Sequence, residues 1–283
     1  MCATFYIATG CGCILVSANI GGYKKYYKNK KHEKENTMKK SVFKLIGTLL
    51  IAASLTGCGG VGSLASNARV SDADNDQVVT IGDSIFALSG ELQNILESYA
   101  GETFRRYTIS GAEVTGGIFA TDIATQFEIA KSDNPNIDTV VMDAAGNDIL
   151  IPVITMFDWY NCKTEWYQWW GLSRSCKNQI DDLYVEVVTL LNNIDSSGVD
   201  NVIMLGYYHP KNALLWLDDA EEAVDYGDMR LAQACANSTA NCTFIDPRSA
   251  INDSDIIIDG IHPSSSGSQK LADLVWPLLQ PLL

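Results

Sequence analysis

Gln77-Val78-Val79-Thr80-Ile81-Gly82-Asp83-Ser84 decides the fold. Its β-branched run predicts a buried strand, and the glycine, the acid and the serine predict a turn that opens a helix. Over residues 86–99, Leu88, Leu92, Ile95, Leu96 and Tyr99 share one helical face, and Gly101 ends it. The alternation then repeats. Residues 103–109 read as a second strand; Phe119, Ile123 and Phe127 recur at helical spacing; Pro135 marks an exit; and 137–145 is a near-continuous apolar third strand, of the kind covered on both faces. A loop-rich insertion at 149–177 precedes a helix at 179–194, a fourth strand at 199–207, a helix at 219–237 and the short strand Thr243-Phe244-Ile245. A serine cluster at 264–266 is suited to capping a last helix at 264–279. Strand and helix in turn predict a parallel sheet with helices on both faces, in one α/β domain.

Four short patches punctuate that alternation: Gly82-Asp83-Ser84, Gly111, Gly146-Asn147-Asp148 and Asp259-Gly260-Ile261-His262. Three follow a predicted strand directly, the end at which open α/β sheets bind ligands. Ser84 would begin a helix, so its hydroxyl can stand at the strand tip while the helix N-terminus favours negative charge. Asp259 and His262 are three residues apart, a spacing that lets one tight turn bring a carboxylate to an imidazole. The other ring nitrogen is then free to take the Ser84 proton. Each patch alone also reads as an ordinary helix cap, turn or loop. His209 is the competing base, but no acidic residue lies within several positions of it.

On these residues the chain resembles the SGNH family, also called GDSL hydrolases, from about residue 77 to the end. The resemblance implies a three-layer α/β/α domain with a central, mainly parallel five-stranded sheet in the flavodoxin-like manner. It implies a Ser84, His262 and Asp259 triad that cleaves carboxylic esters through an acyl-enzyme, with no metal or organic cofactor. It assigns the oxyanion donors to the backbone N–H groups of Ser84 and Gly111 and the side-chain amide of Asn147. Glycine permits close backbone approach, and a neutral amide donates without a charge that would pair with Asp259. Gly116-Gly117 is a nearby alternative to Gly111, whose flanks resemble the family weakly. Ile85 replaces the usual leucine after the nucleophile, a volume-conserving change.

The expected substrate is a short to medium acyl ester, as for an esterase or lipase. A polysaccharide O-acetyl ester is the second expectation, and a lysophospholipid or thioester the third. A non-catalytic glycan- or lipid-binding module is the alternative from another class, and acyl transfer to an alcohol would use the same acyl-enzyme. The insertion holds Phe157, Trp159, Tyr160, Trp166, Tyr167, Trp169 and Trp170 within 14 residues. These aromatics read either as a substrate wall or as a small satellite core; Trp159, Trp166, Trp169 and Trp170, with Tyr208, are the candidate substrate contacts.

The formal net charge of −14 is unevenly spread: residues 1–57 hold nine Lys and two acidic residues, leaving 11 basic against 32 acidic, a net of −21, beyond. That acidic body repels phosphate backbones, so no nucleic-acid partner is expected. Met38-Lys39-Lys40-Ser41-Val42-Phe43-Lys44, an apolar run at 45–55 and Leu55-Thr56-Gly57-Cys58 read as a bacterial lipoprotein signal spanning 38–57. Cys58 would be the lipidated residue, 58–76 a flexible tether, and the protein an exported lipoprotein anchored on the periplasmic or extracellular side. Residues 1–37 then read as an upstream extension from a misassigned start, since Lys34-Glu35 can be encoded AAG-GAG just before Met38. Of eight cysteines, Cys162, Cys176, Cys235 and Cys242 remain for the domain. Export predicts two disulfides, and proximity favours Cys162 with Cys176 and Cys235 with Cys242 among three connectivities.

Overall fold

The computed structural model describes residues 2–9, 12–19, 69–116, 120–154, 158–164, 169, 171–211 and 217–283. It divides into a unit at Met1–Leu49 and a unit at Leu50–Leu283. In the first, β1 (Cys2–Thr9) pairs antiparallel with β2 (Gly12–Asn19) as a hairpin. Cys58 and most of the expected tether lie outside the described residues. Val70, inside the stretch 58–76 expected to be a tether, pairs with the backbone of Arg106. Among the described residues no helix is long and apolar enough to cross a membrane.

The second unit is built on five strands: β3 (Asn75–Ile81), β4 (Phe104–Arg106), β5 (Thr139–Met142), β6 (Asn201–Leu205) and β7 (Cys242–Ile245). Every pairing is parallel and the order is β4-β3-β5-β6-β7, the flavodoxin-like arrangement. Among the described residues seven α-helices follow the strands: α1 (Ser84–Ala87), α2 (Glu91–Ala100), α3 (Ile123–Asp133), α4 (Gly146–Ile154), α5 (Arg174–Ser196), α6 (Glu221–Asn237) and α7 (Ser265–Leu279). Two depart from expectation. Gly90 takes φ +64°, which breaks the predicted 86–99 helix into α1 and α2. The insertion begins as α4, whose apolar face packs before the irregular stretch starts.

Strand residues alternate between the two faces, as a period of two requires. Val79, Ile81, Val140, Met142, Val202 and Met204 pack against α3, α5 and α6. Val78, Val141, Ile203 and Leu205 pack against α1, α2 and α7. Both faces are covered, so the domain is the expected three-layer α/β/α sandwich. Disulfides join Cys162 to Cys176 and Cys235 to Cys242. The first holds the insertion to the start of α5, and the second ties the end of α6 to β7.

Candidate active site

β3 and β5 are neighbours, with the chain leaving them toward opposite sides of the sheet, and the crevice at such a switch point is where α/β sheets bind ligands. Ser84 is the first residue of α1, directly after β3. The turn beneath it is crowded. Gly82 sits at φ +136°, and a Cβ there would lie 2.0 Å from Asp143 Oδ1, so glycine is required on both backbone and steric grounds. Gln126, buried on α3, accepts from the Gly82 N–H at 2.8 Å and donates to its carbonyl at 3.0 Å. Asp83 caps α1 by accepting from the Ile85 N–H at 3.0 Å.

His262 reaches Ser84 from the other end of the chain. Its Nε2 lies 2.8 Å from Ser84 Oγ and its Nδ1 lies 2.6 Å from Asp259 Oδ2. Asp259 Oδ1 also accepts the backbone N–H groups of Ile261 and His262, at 2.9 and 3.0 Å. Burial pushes the Asp259 carboxyl up, but the His262 hydrogen bond and charge with those two N–H groups outweigh it, so the net shift is downward. Asp259 is thus held as a carboxylate that orients the ring. Gly260 turns the loop at φ +85°, the Lys211 N–H donates to its carbonyl at 2.9 Å, and the Tyr208 hydroxyl donates to the Ile261 carbonyl at 2.7 Å.

Asn147 stands at the start of α4, after β5, and donates from Nδ2 to the Ala112 carbonyl at 2.9 Å. Asp148 accepts the Val114 N–H at 3.1 Å, so two bonds fix the 111–114 loop onto the start of α4. Gly111 in that loop has φ +83°. The alternative glycine, Gly116, gives its N–H to Asp122 at 3.1 Å, and Gly117 lies outside the described residues. The competing base His209 is bound to Asp225 at 2.8 Å, in a cluster with Arg248 and Asp246. Its acidic partner is 16 residues away in sequence, which hid the pair from a local reading.

Sequence reasoning passed over the polar network beneath Ser84. The Asp83 N–H donates to Asp143 Oδ1 at 2.6 Å, the Tyr207 hydroxyl donates to Asp83 Oδ2 at 2.8 Å, and the Gly146 N–H donates to the Tyr207 oxygen at 3.0 Å. Burial, then the charge of Asp83, push the Asp143 carboxyl well above the usual carboxylate range. Tyr207 thereby joins the turn that carries Ser84 to the turn that carries Asn147. A Cβ on Gly146 would fall 2.5 Å from the Tyr207 ring, so this contact also depends on glycine. The available signal was an acid ending the apolar run Val140-Val141-Met142-Asp143, which a buried strand carries only when the acid has partners.

The expected aromatic contacts divide. Trp159 and Trp169 are 58% and 90% exposed, and neither lines the cavity beside Ser84. Trp166 and Trp170 lie outside the described residues. Tyr208 does line the cavity, but it is buried and its hydroxyl is committed to Ile261, so it positions the histidine loop.

Solved structures align with most of the chain. An acetyl-xylooligosaccharide esterase from Geobacillus stearmophilus is similar at 15% identity and TM-score 0.51, over 74% of this chain and 95% of its own. A carbohydrate acetylesterase family member from Sinorhizobium meliloti is similar at 13% identity and TM-score 0.51, over 73% and 99%. A member of the lipolytic G-D-S-L family from Veillonella parvula is similar at 16% identity and TM-score 0.50, over 72% and 97%. This is the SGNH hydrolase fold. No protein-family model matches the chain, and no curated protein is similar to it in sequence. At such identities the likeness carries the SGNH architecture alone.

Proposed function

We propose that the protein is a carboxylic ester hydrolase whose nucleophile is Ser84. The observation that carries the reading is the unbroken line from Ser84 Oγ through His262 to Asp259, at 2.8 and 2.6 Å. His262 Nε2 takes the Ser84 proton as Oγ bonds to the ester carbonyl carbon, and Asp259 stabilises the imidazolium. The backbone N–H groups of Ser84 and Gly111 and the Asn147 amide receive the oxyanion. When the carbonyl re-forms, the carbon–oxygen bond to the alcohol breaks and His262 hands that alcohol its proton. Water then attacks the acyl-enzyme, its proton passing by way of His262 to Ser84, and the carboxylic acid leaves.

The test is turnover of p-nitrophenyl acetate and butyrate by wild type, Ser84→Ala and His262→Ala. Wild type should turn over both esters and each variant should lose activity; equal activity in all three would overturn the assignment. A second reading, an O-acetyl esterase acting on polysaccharide, is favoured by the two similar structures named as acetylesterases and by exposed Trp159 and Trp169. Acetate release from acetylated xylan, faster than from p-nitrophenyl acetate, would select it.

For its location, we propose the lipoprotein route read from residues 38–58, supported by two disulfides of the kind that persist outside the cytosol. Incorporation of labelled palmitate into wild type and its loss in Cys58→Ala is the expected result. Equal labelling of both would refute it.

A further inference from the structure

We propose that the acyl part of the substrate enters an apolar cavity beside Ser84, and that the enzyme selects medium-length alkanoyl esters over acetyl esters. The inference rests on the hydrolase reading above and adds its substrate class. The cavity lies between α4, α5 and α6 and is walled by Ile149, Leu150, Val153, Ile180, Leu183 and Leu231, with Ser84 and Asn147 also in its wall. Its volume is about 110 Å³, and it is open to the surface. A single water needs roughly 10–15 Å³ on that measure, so an acetyl methyl would leave most of the space unfilled.

The same wall decides which part of an ester goes in. The leaving alcohol must stay within a hydrogen bond of His262 Nε2 to receive its proton, and His262 does not line the cavity. The part that points into it is therefore the acyl chain. A sugar is a poor occupant, because the Tyr207 hydroxyl is committed to Asp83 and that of Tyr208 to Ile261, while Arg230 is ion-paired with Asp181, donates to Gln233 and lies over the Tyr184 ring. Each carbohydrate hydroxyl placed there would give up water for an apolar wall. Two further polar groups stand in the wall: the Tyr184 hydroxyl, which accepts from Asn237 at 3.1 Å, and Asp228, which burial raises to about 7 and one of whose oxygens accepts the Tyr207 N–H while the other has no hydrogen-bond partner. Exposed Trp159 and Trp169 lie outside the wall, so any glycan contact they make would be with the alcohol part.

The experiment measures kcat/KM of the full-length protein on p-nitrophenyl acetate, butyrate, octanoate and palmitate below their aggregation limits. Each methylene that leaves water for the cavity should raise kcat/KM about fourfold, so octanoate should exceed acetate by about sixtyfold once three extra methylenes are inside. The gain should level off before palmitate. Leu183→Trp and Val153→Phe, which narrow the cavity from two different helices, should each cut the octanoate-to-acetate ratio at least tenfold. Calorimetric titration of Ser84→Ala with sodium octanoate and sodium acetate reads the cavity without turnover, and octanoate should bind more tightly. Should acetate be cleaved as fast as octanoate, or the ratio survive both narrowing changes in folded protein, the cavity proposal falls and the hydrolase reading stands. Should every ester be inert while octanoate still binds preferentially to Ser84→Ala, the hydrolase reading falls and the cavity remains an alkanoate site. Equal binding of the two salts would overturn the cavity proposal whether or not the narrowed variants fold.

Discussion

The two faces of the sheet are packed differently. Under α1, α2 and α7 the layer is filled: Phe86, Leu92, Leu96, Leu271 and Val275 close over Val78, Val141 and Ile203, all buried. On the opposite face α5 and α6 pack equally well on β5 and β6, yet toward the strand ends they and α4 leave the cavity beside Ser84. Interiors are normally close-packed, and unfilled apolar volume forfeits contacts. The difference teaches that one face holds the domain together while the other gives up some packing to make room at the switch point. The candidate catalytic side chains sit on the rim between them, Ser84 as the first residue of α1 and Asp259 and His262 on the loop before α7.

That division separates three kinds of outcome, and substitutions should keep them apart. At the rim, Ser84→Ala and His262→Ala should lower kcat by about 10⁴–10⁶-fold. Their melting temperatures should stay near wild type; a collapse of stability in either would merge rim and core. On the filled face, Leu96→Ala should cost about 2–5 kcal/mol in denaturant unfolding, because the side chain is wholly buried. Its octanoate-to-acetate ratio should not move, and a shifted ratio would break the separation of the faces.

On the cavity face, Asp228 supplies a pH test. Burial raises its folded carboxyl from the ordinary 3.8 to about 7. The native state then holds a proton that the unfolded chain has lost, so wild-type stability falls as pH rises from 4 to 7. Asp228→Asn stays neutral, so its stability relative to wild type should improve across that window by up to about 4 kcal/mol. Asp259 has the opposite sign. Its lowered folded pKa contributes stability above the ordinary 3.8 that disappears as pH falls, so Asp259→Asn should destabilise at neutral pH and converge on wild type in acid. Paired urea titrations at pH 4 and 8 read both, and parallel behaviour would contradict the assigned environments.

The smallest effect is expected at Tyr207, which touches both sides of the site. Tyr207→Phe keeps the ring beneath Gly146 but removes its bonds to Asp83 and to the Gly146 N–H. At about 1 kcal/mol for each buried hydrogen bond, the two together make about 2 kcal/mol, so kcat should drop by up to about thirtyfold, with KM and the chain-length ratio retained. A change in KM alone would make Tyr207 a wall residue only.

The rim was legible in the sequence because each of its parts is a short run: Gly82-Asp83-Ser84 and Asp259-Gly260-Ile261-His262 each carry their chemistry within four residues. The strands were legible because they are apolar and β-branched, although the strand expected at 103–109 shortens to Phe104–Arg106. The cavity was not legible. Its wall is assembled from residues 149–153, 180–184 and 220–231, whose apolar spacing is that of any core-facing helix, and periodicity cannot tell a filled face from an unfilled one. The aromatic insertion drew attention by composition, yet the two of its tryptophans that the structure describes face outward. The Asp83, Asp143 and Tyr207 network was invisible because its members lie up to 124 residues apart.

The most direct test of the central claim is covalent labelling with an alkyl fluorophosphonate, read by intact and peptide mass spectrometry. One adduct per chain, mapped to Ser84, present in wild type and lost in His262→Ala, is the predicted result. An unlabelled wild type, or an adduct that maps elsewhere or forms equally without His262, would contradict the assignment of Ser84 as a nucleophile activated by His262.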